Sequence, residues 1–350
     1  MCTERLTVST LGHTPHALLS HGLGISKSET LRKSVVPNGK RKTGEVMNEV
    51  MRIKNLQVPN GKIDVVLDTD TFNEIDDQYA LAYLLKSKDK LDLKAIYAAP
   101  YSRRGSGTVE EGMERSHNEI LKLLDMLGED VPTFKGSSQY LTDERTFVQS
   151  PAAFDLAERA NHYSTESPLY VVAIGAITNV ASAILLNPKM IDNTVIVWLG
   201  GHAYHYTDTS EFNLKQDIAA ARVVFSCGVP LVQLPCRGVV SEFSIAKPDL
   251  KEWLMGKNTL CDYLARITVE HVEAYEKNPY WAKVIWDVTA VAWLLNDNDR
   301  FMESRLVTSP IPSYDGYYTQ VPDNHLIRYV YYIKRNELMR DLIEKLTGDC

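Results

Sequence analysis

From Ile63 onward, short apolar runs alternate with segments whose apolar residues recur at helical spacing. Ile63 to Leu67 predicts a buried strand, and Ala80/Leu81 with Leu84/Leu85 predict a helix packed on it. Leu93 to Ala99 reads as a second strand, followed by a polar loop to Thr108. Glu114 to Leu127 carries Ile120, Leu123, Leu124 and Leu127 on one helical face, with Gly128 as its stop. Leu169 to Ile174 predicts a third strand, entering Gly175 and a helix through Asn179 to Leu186. Thr194 to Leu199 and Val229 to Leu234 complete the strand series. The C-terminal third reads as mainly helical, including Trp281 to Leu295, and Leu326 to Ile333 as a late edge strand or hairpin. Strands alternating with helices imply an α/β fold: an open, mostly parallel sheet with helices on both faces.

Residues 1–46 break this rhythm. They hold seven Lys or Arg against three Glu, with no sustained period. No compact apolar stretch precedes a small-residue cleavage site, so a secretory signal is not expected. The reading is an N-terminal extension over residues 1–57, expected to be disordered, and a single α/β domain over residues 58–350. Composition changes this picture little. A net charge of −7 argues against a nucleic-acid surface, and no apolar run approaches a membrane span. Five scattered cysteines form neither a disulfide framework nor a zinc site, which fits a reducing, cytoplasmic setting.

The chemistry concentrates where the first strand ends. Asp68 and Asp70 close the apolar run, and Asp76 and Asp77 open the following helix. Four carboxylates on the turn at a strand's carboxyl end occupy the place where open α/β sheets bind ligands. Their repulsion and desolvation call for a cation or a proton, and oxygen-only donors favour Ca²⁺ or Mg²⁺ over zinc. The plainer alternative is that Asp76 and Asp77 favour the helix dipole while Asp68 and Asp70 are solvated turn residues.

Three later blocks sharpen the pattern: V-A-I-G-A-I-T-N-V-A from Val172, G-G-H-A-Y-H-Y-T-D-T-S-E-F-N from Gly200, and I-W-D-V-T-A-V-A-W-L-L from Ile285. With the first motif, and in this order, they resemble the inosine–uridine-preferring nucleoside hydrolase family from about Lys62 to near the C-terminus. The resemblance implies hydrolysis of the N-glycosidic bond of a ribonucleoside by water activated on one Ca²⁺ per subunit. It implies Asp70, Asp77 and Asp287 as carboxylate ligands, with the carbonyl of Ile174 as a further donor. Asp76 would hold ribose hydroxyls, Glu211 and Asn213 would meet the 5′ side of the ribose, and Asp68 would support the ligands from behind. Asp70 is the candidate base for the water's proton, and an anionic floor suits the positive charge that develops on the ribose. The family generally forms dimers or tetramers, so a homo-oligomer is expected.

Three departures from the family pattern stand out. T-F-N-E-I replaces the shorter P-G-x between the second and third aspartates, which would let Asn73 or Glu74 enter the pocket. A-A-P-Y-S replaces the usual G-N after the second strand, leaving Tyr101 or Asn118 as substitutes for a ribose-binding asparagine. Trp286 stands where many members carry the histidine assigned to leaving-group protonation. It either stacks on the base or joins Trp293 in a core stripe. His205, with His202, Tyr204 and Tyr206, offers another proton donor or stacking partner. Two other functions stay open: a haloacid-dehalogenase-type Mg²⁺ phosphatase with Asp68 as nucleophile, and a non-catalytic nucleoside- or ribose-binding protein.

Overall fold

Alternate residues of Ile63–Thr69 (β1) feed two separate cores, because successive side chains of a strand point to opposite faces. Val65 and Leu67 join one apolar cluster and Val66 the other. The computed structural model describes residues 48–103 and 107–348. Around β1 lie Leu91–Ala98 (β2), Thr133–Lys135 (β3), Leu169–Ala173 (β4), Thr194–Leu199 (β5) and Leu231–Leu234 (β6). The order across the sheet is β3-β2-β1-β4-β5-β6, all parallel, then Leu326–Ile333 and Met302–Thr308. Leu326–Ile333 runs parallel to β6 and antiparallel to Met302–Thr308. The expected late strand is therefore interior, and the edge is Met302–Thr308, whose mixed polar sequence carries little strand signal.

The mostly parallel sheet covered by helices on both faces agrees with the expectation. Helix Asp76–Leu85 is buried along its whole length, as is Val288–Leu294, which packs against it. Val109–Leu127 begins in a Thr108–Glu111 capping box and ends on Gly128 in the left-handed region. Trp281 to Leu295 is not one helix. Ala282–Val284 pairs antiparallel with Ser244–Ala246, and the helix starts only after Asp287.

Ahead of β1, Glu49–Asn55 is helical and Leu56 is fully buried. Described structure thus begins before the boundary expected at residues 57/58, while residues 1–47 of the expected extension lie outside the described residues. Among the described residues no helix is long and apolar enough to cross a membrane.

One half-buried histidine ties this fold to pH. Burial pushes the imidazole of His325 down from 6.5 to about 4, with Arg52 adding to the effect. The unfolded chain then takes up a proton at a pH where the folded one does not. The stability involved is intact above pH 6.5 and is lost as the pH falls towards 4. Melting curves of His325→Gln should show a flatter dependence than wild type across that window.

Candidate active site

The carboxyl ends of β1, β4, β5 and β6 open into one cavity of about 270 Å³ at the point where the strand order turns back from β1 to β4. Its floor is acidic. Asp70, Asp76, Asp77 and Asp287 line it and are all buried. Carboxylate oxygens of Asp76, Asp77 and Asp287 lie within 4.8 Å of one another, although Asp287 is some 210 positions away along the chain. Asp70 lines the same floor and interacts electrostatically with all three.

Each carboxylate is held by a local cause. The parity of β1 turns Thr69 towards helix Asp76–Leu85, where its hydroxyl donates to Asp77 Oδ1 at 2.6 Å. The backbone N–H of Trp286 donates to Asp76 Oδ2 at 3.0 Å, joining the late motif to the first. Asp68 points to the opposite face and accepts from Asn179 Nδ2 at 2.8 Å, while Asn179 Oδ1 accepts from the backbone N–H and the hydroxyl of Ser137. Asp68 is not among the residues lining the cavity. Replacing Asn179 by Leu removes the carboxylate's amide donor and should destabilise the fold by about 3 kcal/mol, read from denaturant unfolding.

The electrostatics are those of crowded acids in a dry place. Burial pushes Asp68 up to about 7 despite the amide of Asn179. Burial and then Asp76 push Asp77 up to about 7. Burial raises Asp70 and Asp287 well above the carboxylate range, with the neighbouring aspartates adding to it. Asp70 Oδ2 is buried without a hydrogen-bond partner among the described residues. An all-oxygen donor set, mutually repelling and with a vacant lone pair, fits a hard divalent cation.

The remaining expected residues divide. Ile174 lines the cavity, and its carbonyl accepts from Asn213 Nδ2 at 3.1 Å; the same amide donates to the carbonyl of Leu199 at 3.1 Å. Asn213 thus fixes the tips of β4 and β5. Glu211 lines the cavity, but its carboxylate caps helix Phe212–Gln216 and accepts from the N–H groups of Gly201, Asn213 and Leu214. A side chain at Gly175 would come within 3.2 Å of Asp70, so only glycine leaves that carboxylate its room. Trp286 is half-buried and lines the cavity, whereas Trp293 is fully buried in the core.

His205 is exposed and lies outside the lining, stacked near Tyr206; His202 lines the cavity in its place. Asn73 and Glu74 both enter the cavity. Tyr101 is buried and Asn118 exposed, and neither lines it.

Several contributors were not foreseen. Thr69 and Asn179 sit inside motifs already singled out, and strand parity could have revealed Thr69. Lys283, which pairs with Glu74, and Arg103, whose guanidinium meets Glu74 at 2.5 Å, had no local signal. Both depend on where the longer turn goes.

A family model described as inosine-uridine preferring nucleoside hydrolase matches residues 65–311. The pyrimidine-specific ribonucleoside hydrolase RihA of Photobacterium profundum is 25% identical over 259 residues, covering 66% of this chain and 79% of that protein. RihA of Escherichia coli O1:K1 is 26% identical over 261 residues, covering 67% and 79%. Among solved structures, an inosine-guanosine nucleoside hydrolase matches with a TM-score of 0.67 at 18% identity, covering 82% of this chain and 99% of that one. A purine-preferring ribonucleoside hydrolase from Gardnerella vaginalis matches with a TM-score of 0.65 at 18% identity, covering 81% and 98%.

Proposed function

The chain belongs to the inosine–uridine-preferring nucleoside hydrolase family, enzymes that hydrolyse N-glycosyl bonds, and from that membership we infer that it splits a ribonucleoside into free base and ribose with the aid of Ca²⁺. The observation that carries the reading is the meeting of Asp76, Asp77 and Asp287 within 4.8 Å. Two segments distant in the chain converge there on a purely acidic point, which neither helix capping nor a solvated turn explains.

Asp70, Asp77 and Asp287 would hold the ion together with the carbonyl of Ile174. When bound, Ca²⁺ would polarise a water enough for a neighbouring carboxylate to take its proton near neutral pH. Asp70, with its unpartnered Oδ2, takes the water's proton. Asp76, steadied by the backbone of Trp286, orients the ribose through its hydroxyls. The anionic floor stabilises the positive charge that grows on the sugar as the bond to the base breaks. Asn213 keeps the Ile174 carbonyl in place, and Glu211 holds the helix that carries Asn213. Trp286 offers the base a flat aromatic face. Burial, together with Arg237, keeps His202 below the usual imidazole range, so it serves as a neutral hydrogen-bond partner near pH 7.

The phosphatase alternative needs Asp68 as a nucleophile facing substrate. Its burial behind the sheet end, on Asn179, tells against that role. The test is a reducing-sugar assay over purine and pyrimidine ribonucleosides, since the relatives' names include both preferences. Sugar release that ceases on chelation supports the reading, and release that survives rigorous chelation overturns the ion's part in it. Homo-oligomerisation, as a dimer or tetramer, belongs to the same proposal and is read from sedimentation.

A further inference from the structure

Cleaving an unmodified nucleoside leaves the two cations of the cavity without a task. Lys215, Arg237 and His202 also line it. Lys215 stands on helix Phe212–Gln216, Arg237 follows β6, and His202 follows β5. The three share the lining of one cavity, and Arg237 and Lys215 both act electrostatically on His202. Among the described residues the side chains of Lys215 and Arg237 make no hydrogen bond or ion pair. His202 is only 5% exposed, and its Nδ1 is buried without a partner among the described residues. Of the acids on this wall, Asp208 already offsets part of the charge of Arg237 and His202. Glu211 accepts from three backbone N–H groups, and Asp208 accepts from the N–H of Ser210.

We propose that this wall receives the phosphate of a ribonucleoside 5′-monophosphate, making the nucleotide a better substrate than the nucleoside. The proposal rests on the hydrolase reading above. A ribose held by its hydroxyls on the acidic floor directs its base and its C5′ substituent to the other walls. Trp286 presents a flat apolar face that suits a base. Lys215, Arg237 and His202 suit a dianion: the guanidinium grips two oxygens at once, the ammonium supplies a point charge, and the imidazole supplies one N–H. A neutral 5′-hydroxyl would leave most of these donors idle. In the reaction the C1′–N bond breaks with its electron pair going to the base, and the water oxygen bonds to C1′. The water's proton passes to the base, giving free base and ribose 5-phosphate with the phosphate ester intact.

The experiment compares kcat/KM of the full chain, with Ca²⁺ present, on a nucleoside, its 5′-monophosphate and a nucleoside bearing a carboxylate on its base. The monophosphate should exceed the nucleoside by about tenfold or more, with an advantage that shrinks as ionic strength rises. In Lys215→Ala and Arg237→Ala the monophosphate-to-nucleoside ratio should drop by about tenfold. Both side chains are exposed, so neither change threatens the fold. Turnover of the nucleoside without preference for the monophosphate overturns the proposal and leaves the hydrolase reading standing. So does preference for the base carboxylate, which would place the anion on the other side of the sugar. If no substrate releases sugar, the hydrolase reading fails instead. Calorimetry with ribose 5-phosphate and ribose then decides the anion site by itself: tighter binding of the phosphate, weakened in Arg237→Ala, supports it, and equal binding overturns it.

Discussion

Asp287→Asn is expected to reduce kcat/KM on a ribonucleoside by about a thousandfold or more while raising the melting temperature measured in chelator. The two effects share one cause. Asp287 is buried against Asp76 and Asp77, so without an ion its charge is desolvated and repelled. The neutral amide keeps the shape and removes that penalty. With the charge goes one of the oxygens gathered at the floor. Sites built for chemistry are often locally destabilising, and relieving them trades activity for stability. Circular dichroism melts and steady-state kinetics on one preparation check both halves. A variant that loses stability and keeps its turnover would show that Asp287 serves the fold alone.

The second large effect is that of the ion. Chelation should abolish sugar release, and Ca²⁺ should restore it. In the absence of substrate, Ca²⁺ at about a hundred times its dissociation constant should stabilise the folded chain by about 2.7 kcal/mol. For a chain of this size that raises the melting temperature by roughly 4 °C. Mg²⁺ should do this less well, because it demands a strict octahedron and sheds its waters reluctantly. A melting temperature indifferent to both ions, with activity unaffected by chelator, would remove metal from the account and return the crowded acids to proton sharing.

Much of this was legible from residues alone because the strands are short apolar runs that must be buried. Thr194 to Leu199 and Leu326 to Ile333 match their observed bounds. The acidic turn after β1 announced itself by charge crowding. What failed was whatever depends on distant partners. Ala282–Val284 is a strand because Ser244–Ala246 lies beside it, and nothing within W-A-K-V-I-W-D separates it from the apolar helix that follows. Met302–Thr308 is an edge strand for the same reason. In the polar loop after β5, His202 and His205 have equal claims by composition; only the packing puts His202 in the cavity and leaves His205 outside. The meeting of Asp287 with Asp76 and Asp77 likewise followed from family likeness and not from spacing.

The longer turn between Asp70 and Asp76 has an outcome of its own. Glu74, inside it, is gripped by Lys283, which lies just ahead of Asp287, and by Arg103. The two halves of the acidic floor are therefore clamped together by protein charges and do not depend on an incoming ion to draw them in. A mostly buried ammonium, Lys283, takes up part of the repulsion among the acids beforehand. An ion entering such a preassembled nest would demand little rearrangement, so the turn's added length works as a brace where a free loop would have been slack.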